Sequence, residues 1–254
     1  MSKITLEIDH FVATITLNRP EKLNALDVEM LDDLLNIFDR IEADHSIRLV
    51  LLCGAGDKAF CVGADITAWM ALEPLDMWRH WIIRGHRVFD RLYHLRQPVI
   101  ALLNGYTFGG GLEIALAADI RLSADHAEFA LPEVKLATVP GWGGTSRLPA
   151  LIGSARAKQM IFSGERIDAK TAHQWGLINE IHPQETIHAR ALEIATQIVA
   201  NAPIAVQLAK QAINTKLSNS SLEALAGALS ATSEDAKEGL AAFQERRTPH
   251  FTGK

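Results

Sequence analysis

Val99-Ile100-Ala101-Leu102-Leu103-Asn104-Gly105-Tyr106-Thr107-Phe108-Gly109-Gly110-Gly111-Leu112-Glu113-Ile114-Ala115-Leu116-Ala117-Ala118-Asp119 is the stretch on which the reading of this chain turns. Its first five residues follow Pro98 as an unbroken apolar run of strand length, the pattern of a strand covered on both faces. Three consecutive glycines come next, and then a helix that is apolar nearly all round. Glycine permits tight turns and lets backbone N–H groups approach a ligand closely. The first N–H groups of a helix lack intrahelical partners and carry partial positive charge, so a carbonyl oxygen gaining negative charge is well received there. Glu113 is the one charged residue among these apolar neighbours. A carboxylate in such company is costly unless it is paired, hydrogen-bonded or protonated. Two readings stay open: a glutamate that merely favours the helix dipole, or an acid/base group beside an oxyanion site.

Working outward, the same grammar recurs. Leu49-Val50-Leu51-Leu52 is a second apolar strand, followed by the glycine turn Gly54-Ala55-Gly56-Asp57-Lys58-Ala59-Phe60-Cys61-Val62-Gly63-Ala64-Asp65. A second isolated carboxylate stands in Phe129-Ala130-Leu131-Pro132-Glu133-Val134, either as a helix-start glutamate after Pro132 or as a partner for Glu113. Pro140-Gly141-Trp142-Gly143-Gly144-Thr145 is a third glycine-rich turn that could open a helix. Upstream, Ile4, Leu6 and Ile8, then Val12, Ile15 and Leu17, predict two short strands turning at Asp9-His10. Asp27 is placed to cap a helix with apolar positions Met30, Leu31, Leu34, Leu35, Phe38 and Ile41. One apolar stripe, Trp78, Trp81, Ile82, Gly85, Val88, Phe89 and Leu92, predicts a helix over residues 75–95, with the tryptophans as core packing. A strand is expected around residues 119–124. From Ser154 onward helices dominate, apart from strand signal at residues 177–181, and Pro203 suits the first turn of a helix running through Lys216. Strand–helix alternation with a helical tail is an α/β pattern.

Composition narrows the function. The chain has 254 residues, 48% hydrophobic and 22% charged, with a formal net charge of −5. That is an ordinary globular composition, and it lacks the basic stripe that nucleic acid would require. Cys53 and Cys61, both in apolar surroundings, read as free thiols. No signal-peptide pattern or uninterrupted apolar span of membrane length is visible, so a cytoplasmic protein is expected. Gly54-x-Gly56-x-x-Ala59 fits a dinucleotide fingerprint only formally, because no amphipathic helix continues from it. A phosphate-loop lysine, a serine-hydrolase elbow and histidine or cysteine pairs at metal-ligand spacing are all missing. No metal is expected.

At these residues the chain strongly resembles the crotonase superfamily, specifically its enoyl-CoA hydratases. Five blocks carry the likeness: Leu17-Asn18-Arg19-Pro20-Glu21-Lys22-Leu23-Asn24-Ala25-Leu26, Ala59–Ile66, Asn104–Asp119, Leu131–Gly144, and Glu238-Gly239 with Phe243 and Arg247-Thr248-Pro249. The resemblance implies an α/β fold built as a spiral of ββα units, with a catalytic core over residues 1–195 and a helical trimerisation region over 196–254. It implies a homo-oligomer, trimer or dimer of trimers, and an acyl-CoA thioester substrate, coenzyme A entering as part of that substrate and not as a cofactor. Carried over by position, Glu113 and Glu133 form the acid/base pair, and the backbone N–H groups of Ala64 and Gly110 the oxyanion hole. Gly141 holds the attacking water, and Lys22, Leu23, Ala25, Ala64, Asp65 and Ile66 meet coenzyme A. Trp142 and Met70 are expected in the acyl pocket.

The chain departs from the family pattern at Trp142, where many relatives carry a small residue, and at Ala137, which replaces a common glycine. The expected reaction is reversible hydration of a trans-2-enoyl-CoA. Isomerisation, decarboxylation, thioester hydrolysis and carnitinyl-CoA-like dehydration use the same scaffold. A non-enzymatic RNA-binding role is opposed by the acidic balance.

Overall fold

The computed structural model describes residues 2–70, 72–215 and 220–254, apart from the side chains of Pro74, Trp78, Ser220 and Ser221. A hairpin opens the chain: β1 (Ile4–Asp9) and β2 (Val12–Leu17) pair antiparallel about the turn at His10 and Phe11. Helix α1 (Val28–Ala43) starts at Asp27, whose side chain accepts the Met30 N–H as the sequence suggests. From there the chain repeats a unit in which one strand enters a large sheet and the next a small one. The pairs are β3 (Leu49–Gly54) with β4 (Ala59–Cys61), β5 (Val99–Leu103) with β6 (Tyr106–Phe108), and β7 (Ile120–Ala124) with β8 (Glu128–Ala130). Between the first two pairs run α2 (Ile66–Met70), α3 (Pro74–Asp76), a π-helical segment (Met77–Ile82) and α4 (Ile83–Tyr93). The short α5 (Gly110–Ala115) separates the second and third pairs.

After β8 come α6 (Gly144–Ile152), α7 (Ser154–Ser163), β9 (Ile167–Asp168), α8 (Ala169–Trp175), β10 (Glu180–His182) and α9 (Ile187–Val199). The large sheet has the order β1-β2-β3-β5-β7-β10, parallel throughout except at the β1–β2 hairpin. The small sheet has the order β4-β6-β8-β9. This is the α/β spiral of ββα units.

The apolar runs of β3 and β5 are explained by cover on both faces. One face of the large sheet joins the main core with α1 and α4; on the other, Leu49, Leu51, Ile100, Leu102 and Leu122 pack on Ile187, Ala191 and Ala195 of α9. The expected boundary after residue 195 therefore falls inside a helix that belongs to the sheet. The chain leaves the sheet only at α10 (Pro203–Asn214), which opens on Pro203 as expected and is followed by α11 (Ser220–Ala231) and α12 (Glu234–Glu245). The helix expected to run through Lys216 is α10, which ends at Asn214, with Thr215 extended; core packing of the Trp78 side chain lies outside the described residues. Trp81 is in the core. Both cysteines are free, and burial pushes the Cys61 thiol up to about 12. Among the described residues no single helix is long and apolar enough to cross a membrane.

Candidate active site

The site forms where the chain leaves the small-sheet strands β4, β6 and β8 and exposes main-chain N–H groups. Gly109 ends β6 with φ +50° and ψ −128°, a conformation that favours glycine, and donates its own N–H to the Ala130 carbonyl. Gly110 then begins α5, where its N–H has no intrahelical acceptor. The turn at Gly63 and Ala64 lies against it, so closely that a Cβ on Gly63 would sit 2.9 Å from the Gly110 nitrogen. The N–H groups of Ala64 and Gly110 have no hydrogen-bond partner among the described residues, and both residues line one cavity of about 160 Å³. The two expected oxyanion donors are thus brought together.

Both glutamates line the same cavity. Glu113 is 2% exposed, and its Oε1 accepts the N–H groups of Trp142 and Gly144, each at 2.7 Å. Burial nevertheless raises its pKa, outweighing these two bonds and the nearby Arg147 charge. Glu133 opens a 3-10 turn (Glu133–Leu136) directly after Pro132, so the helix-start reading of this residue also holds. Burial pushes it up to about 7, with the Glu113 charge adding to the effect, and its Oε2 has no partner among the described residues. Gly141 and Trp142 complete this wall of the cavity.

The expected coenzyme A segments meet as neighbours. Leu26 donates its N–H to the Gly63 carbonyl, Asp65 to the Leu26 carbonyl, and Val62 to the Leu23 carbonyl. This lacing holds the 23–26 segment against residues 62–65; Ala64 and Ile66 line the cavity, whereas Lys22, Leu23, Ala25 and Asp65 do not. Asp65 serves the scaffold: its carboxylate pairs with Arg19 at 3.0 Å and accepts the Thr67 N–H.

The main difference from expectation lies at the residues expected to form the acyl pocket. Met70 is 78% exposed and is not among the cavity-lining residues; its neighbour Trp69, with Met77, Trp81 and Ile82, lines the space instead. Trp142 lines it too, but as a buried wall. Its indole fills space left by two glycines, since a Cβ on Gly85 would fall 2.2 Å from the ring and one on Gly110 would fall 2.5 Å from it. Trp81 and Phe89 pack around it with ring centroids at 5.3 and 5.1 Å. Ala137 adopts φ +55°, which accounts for the glycine that the family pattern favours there. A larger cavity of about 760 Å³ lies between α4, α6 and α10, but neither glutamate lines it. Among the described residues no cluster of three or more His, Cys, Asp or Glu side chains could hold a metal ion.

Residues 7–254 match the family model described as enoyl-CoA hydratase/isomerase. The chain belongs to that family. It is 41% identical over 252 residues to the short-chain-enoyl-CoA hydratase of Clostridium acetobutylicum, covering 97% of this chain and 96% of that one. It is 38% identical to the carnitinyl-CoA dehydratase of Proteus mirabilis, covering 96% and 95%. The crystal structure of an enoyl-CoA hydratase from Bacillus anthracis superimposes with a TM-score of 0.95 at 39% identity, covering all of both chains. The two glutamates and the glycine turns that stand out in the sequence line this cavity. Trp69, Met77 and Ile82 at the cavity and the two N–H bonds to Glu113 carry no sequence signal of a site. Those bonds come from a turn 29 and 31 residues downstream, which no local pattern couples to α5.

Proposed function

We propose that the protein adds water reversibly across the double bond of a short trans-2-enoyl-CoA, giving the 3-hydroxyacyl-CoA. The observation that carries this reading is the pair of buried glutamates on one cavity, beside two unpaired main-chain N–H groups. The thioester carbonyl accepts hydrogen bonds from Ala64 and Gly110, each worth about 3–4 kcal/mol as negative charge develops on the oxygen. Glu113, ionised, takes a proton from water as the water oxygen bonds to Cβ. The π electrons move to the thioester enolate, and Glu133 delivers its proton to Cα. Proton exchange between the two carboxyls then restores the starting state. A carboxyl held near 7 is suited to the donor role, and one with two N–H bonds to a single oxygen is oriented for the acceptor role.

Trp142 closes the cavity against Gly85 and Gly110, which favours a short acyl group. The tryptophans around the cavity support a second reading, dehydration of a carnitinyl-type thioester, because aromatic faces attract a quaternary ammonium. We also infer a homo-oligomer assembled through the C-terminal helices, where Leu225, Leu229, Leu240 and Phe243 are exposed; sedimentation velocity would show a single subunit if this is wrong.

The first test follows the absorbance of the conjugated thioester of crotonyl-CoA with the wild type, Glu113→Gln and Glu133→Gln. Rapid loss with the wild type, falling by about 100-fold or more in each variant, is the expected result. Binding of a saturated acyl-CoA should survive in both variants. A wild type inert to crotonyl-CoA but active on crotonobetainyl-CoA would favour the second reading.

A further inference from the structure

Behind Glu113 lies a side chain that the reaction as described does not use. Arg147 sits on α6, its side chain 10% exposed, and its guanidinium donates to the Trp142 carbonyl at 2.9 Å and to the Asp90 carboxylate on α4. Its face is covered by the Tyr93 ring, 5.3 Å away. Gly143, at φ +108°, makes room for it, because a Cβ there would fall 2.0 Å from the guanidinium nitrogen. The Trp142 carbonyl belongs to the peptide unit joining Trp142 to Gly143. The units on either side carry the two N–H groups that donate to Glu113 Oε1.

We propose that Arg147 is a positioning residue for Glu113: held between Asp90 and the Trp142 carbonyl, it sets the 141–144 turn so that two N–H groups converge on one carboxylate oxygen. This rests on the hydratase reading for its kinetic consequence but not for its geometry. The charge of Arg147 also opposes the rise in the Glu113 pKa. The other groups facing this cluster are Glu133 across the cavity, His86 on α4 and His94 just after it, and the pair formed by Asp119 and Lys210 with Arg121 behind α6. His86 contacts Asp90 at 3.2 Å, so the chain of contacts continues outward from Arg147. None of these groups donates to the Trp142 carbonyl, which leaves Arg147 as its side-chain donor among the described residues.

The test compares full-length wild type, Arg147→Gln and Arg147→Lys by two readouts: kcat and KM for crotonyl-CoA across pH, and the carbon-13 NMR titration of the Glu113 carboxyl, assigned with Glu113→Gln. For Arg147→Gln the expected result is kcat lower by about tenfold or more, with KM within about threefold. The Glu113 titration should move to higher pH by about one unit, and the acidic limb of the rate profile with it. Arg147→Lys keeps the charge but not the fork, so the titration should return towards wild type while kcat stays severalfold below it.

A merely structural role would lower the rate at every pH without moving the titration, and that result, or an unchanged Arg147→Gln, overturns the proposal. If Arg147→Gln does not fold, Arg147→Lys decides: a severalfold loss in kcat with the Glu113 titration still partly raised supports the proposal, and an unchanged kcat or an unmoved titration overturns it. A wild type that fails to hydrate crotonyl-CoA would count against the hydratase reading alone, since the NMR titration tests the positioning role without turnover.

Discussion

Glu133 shows what a buried carboxyl, proposed as the acid, costs its fold. Its pKa, ordinarily 4.5, is raised to about 7 in the folded protein, chiefly by burial. A group whose folded pKa is raised contributes stability that is complete below about pH 4.5 and lost as the pH rises through about 7. Glu133→Gln, which cannot ionise, should therefore be more stable than the wild type at pH 9 by on the order of 2 kcal/mol, with little difference at pH 5. Urea unfolding at the two pH values measures this, and equal midpoint shifts at both would refute it. The same proton shapes the rate: hydration should weaken above about pH 7 as Glu133 loses it, and at low pH as Glu113 gains one. The two carboxyls titrate as a coupled pair, so the limbs of that profile belong to both. The candidate status of each glutamate was legible from its isolation among apolar neighbours. That Glu113 receives its bonds from the Trp142 turn was not, because a backbone contact between distant turns leaves no side-chain signature.

At the scale of elements, the helix expected over residues 75–95 turns out to be two geometries in succession. A π-helical segment over Met77–Ile82 widens the turn, and Met77, Trp81 and Ile82 all line the cavity before α4 resumes ordinary α-helical geometry. The 3.6-residue stripe identified the buried face but not the wider turn, since both geometries bury a similar set of apolar residues. Gly85 belongs to this stripe and, judged by propensity alone, costs the helix about 1 kcal/mol relative to alanine. The packing reverses that judgement. Gly85→Ala should destabilise the protein by about 2 kcal/mol or more, because its Cβ would meet the Trp142 ring. Combined with Trp142→Ala, the same substitution should become nearly neutral, a coupling that denaturant unfolding of the four variants reads directly. Trp142→Ala by itself should raise the ratio of kcat/KM for octenoyl-CoA over crotonyl-CoA by about tenfold or more, the vacated ring volume admitting several methylenes. An unchanged chain-length profile would remove Trp142 from the acyl pocket.

Across the whole molecule, a buried cation helps tie α10 to the sheet. Lys210 on α10 pairs with Asp119 at 2.7 Å and donates to the Gln97 carbonyl at 3.0 Å; Asp119 in turn accepts the Val99 N–H at the start of β5. Burial pulls the Lys210 pKa down against the favourable Asp119 charge. Lys210→Met should cost about 3 kcal/mol, because it leaves the Asp119 carboxylate without its cation. Protease cleavage after residue 200 should quicken before the rest of the chain opens. Cleavage at the wild-type rate would mean that α10 is held without the Lys210 pair.

What the sequence determined by itself was the set of local commitments: which runs are strands, where Asp27 and Pro203 start helices, which turns need glycine, and which two glutamates lie among apolar residues. These follow from periodicity and from the energetic cost of burying charge, both of which act within a few residues. The tertiary structure decided what meets what. It put Glu113 under the N–H groups of a turn about thirty residues away, replaced Met70 with Trp69 at the cavity, and set Trp142 into the space above Gly85 and Gly110. Each is a contact between segments far apart in the chain, settled by which shapes fit once the two sheets have stacked.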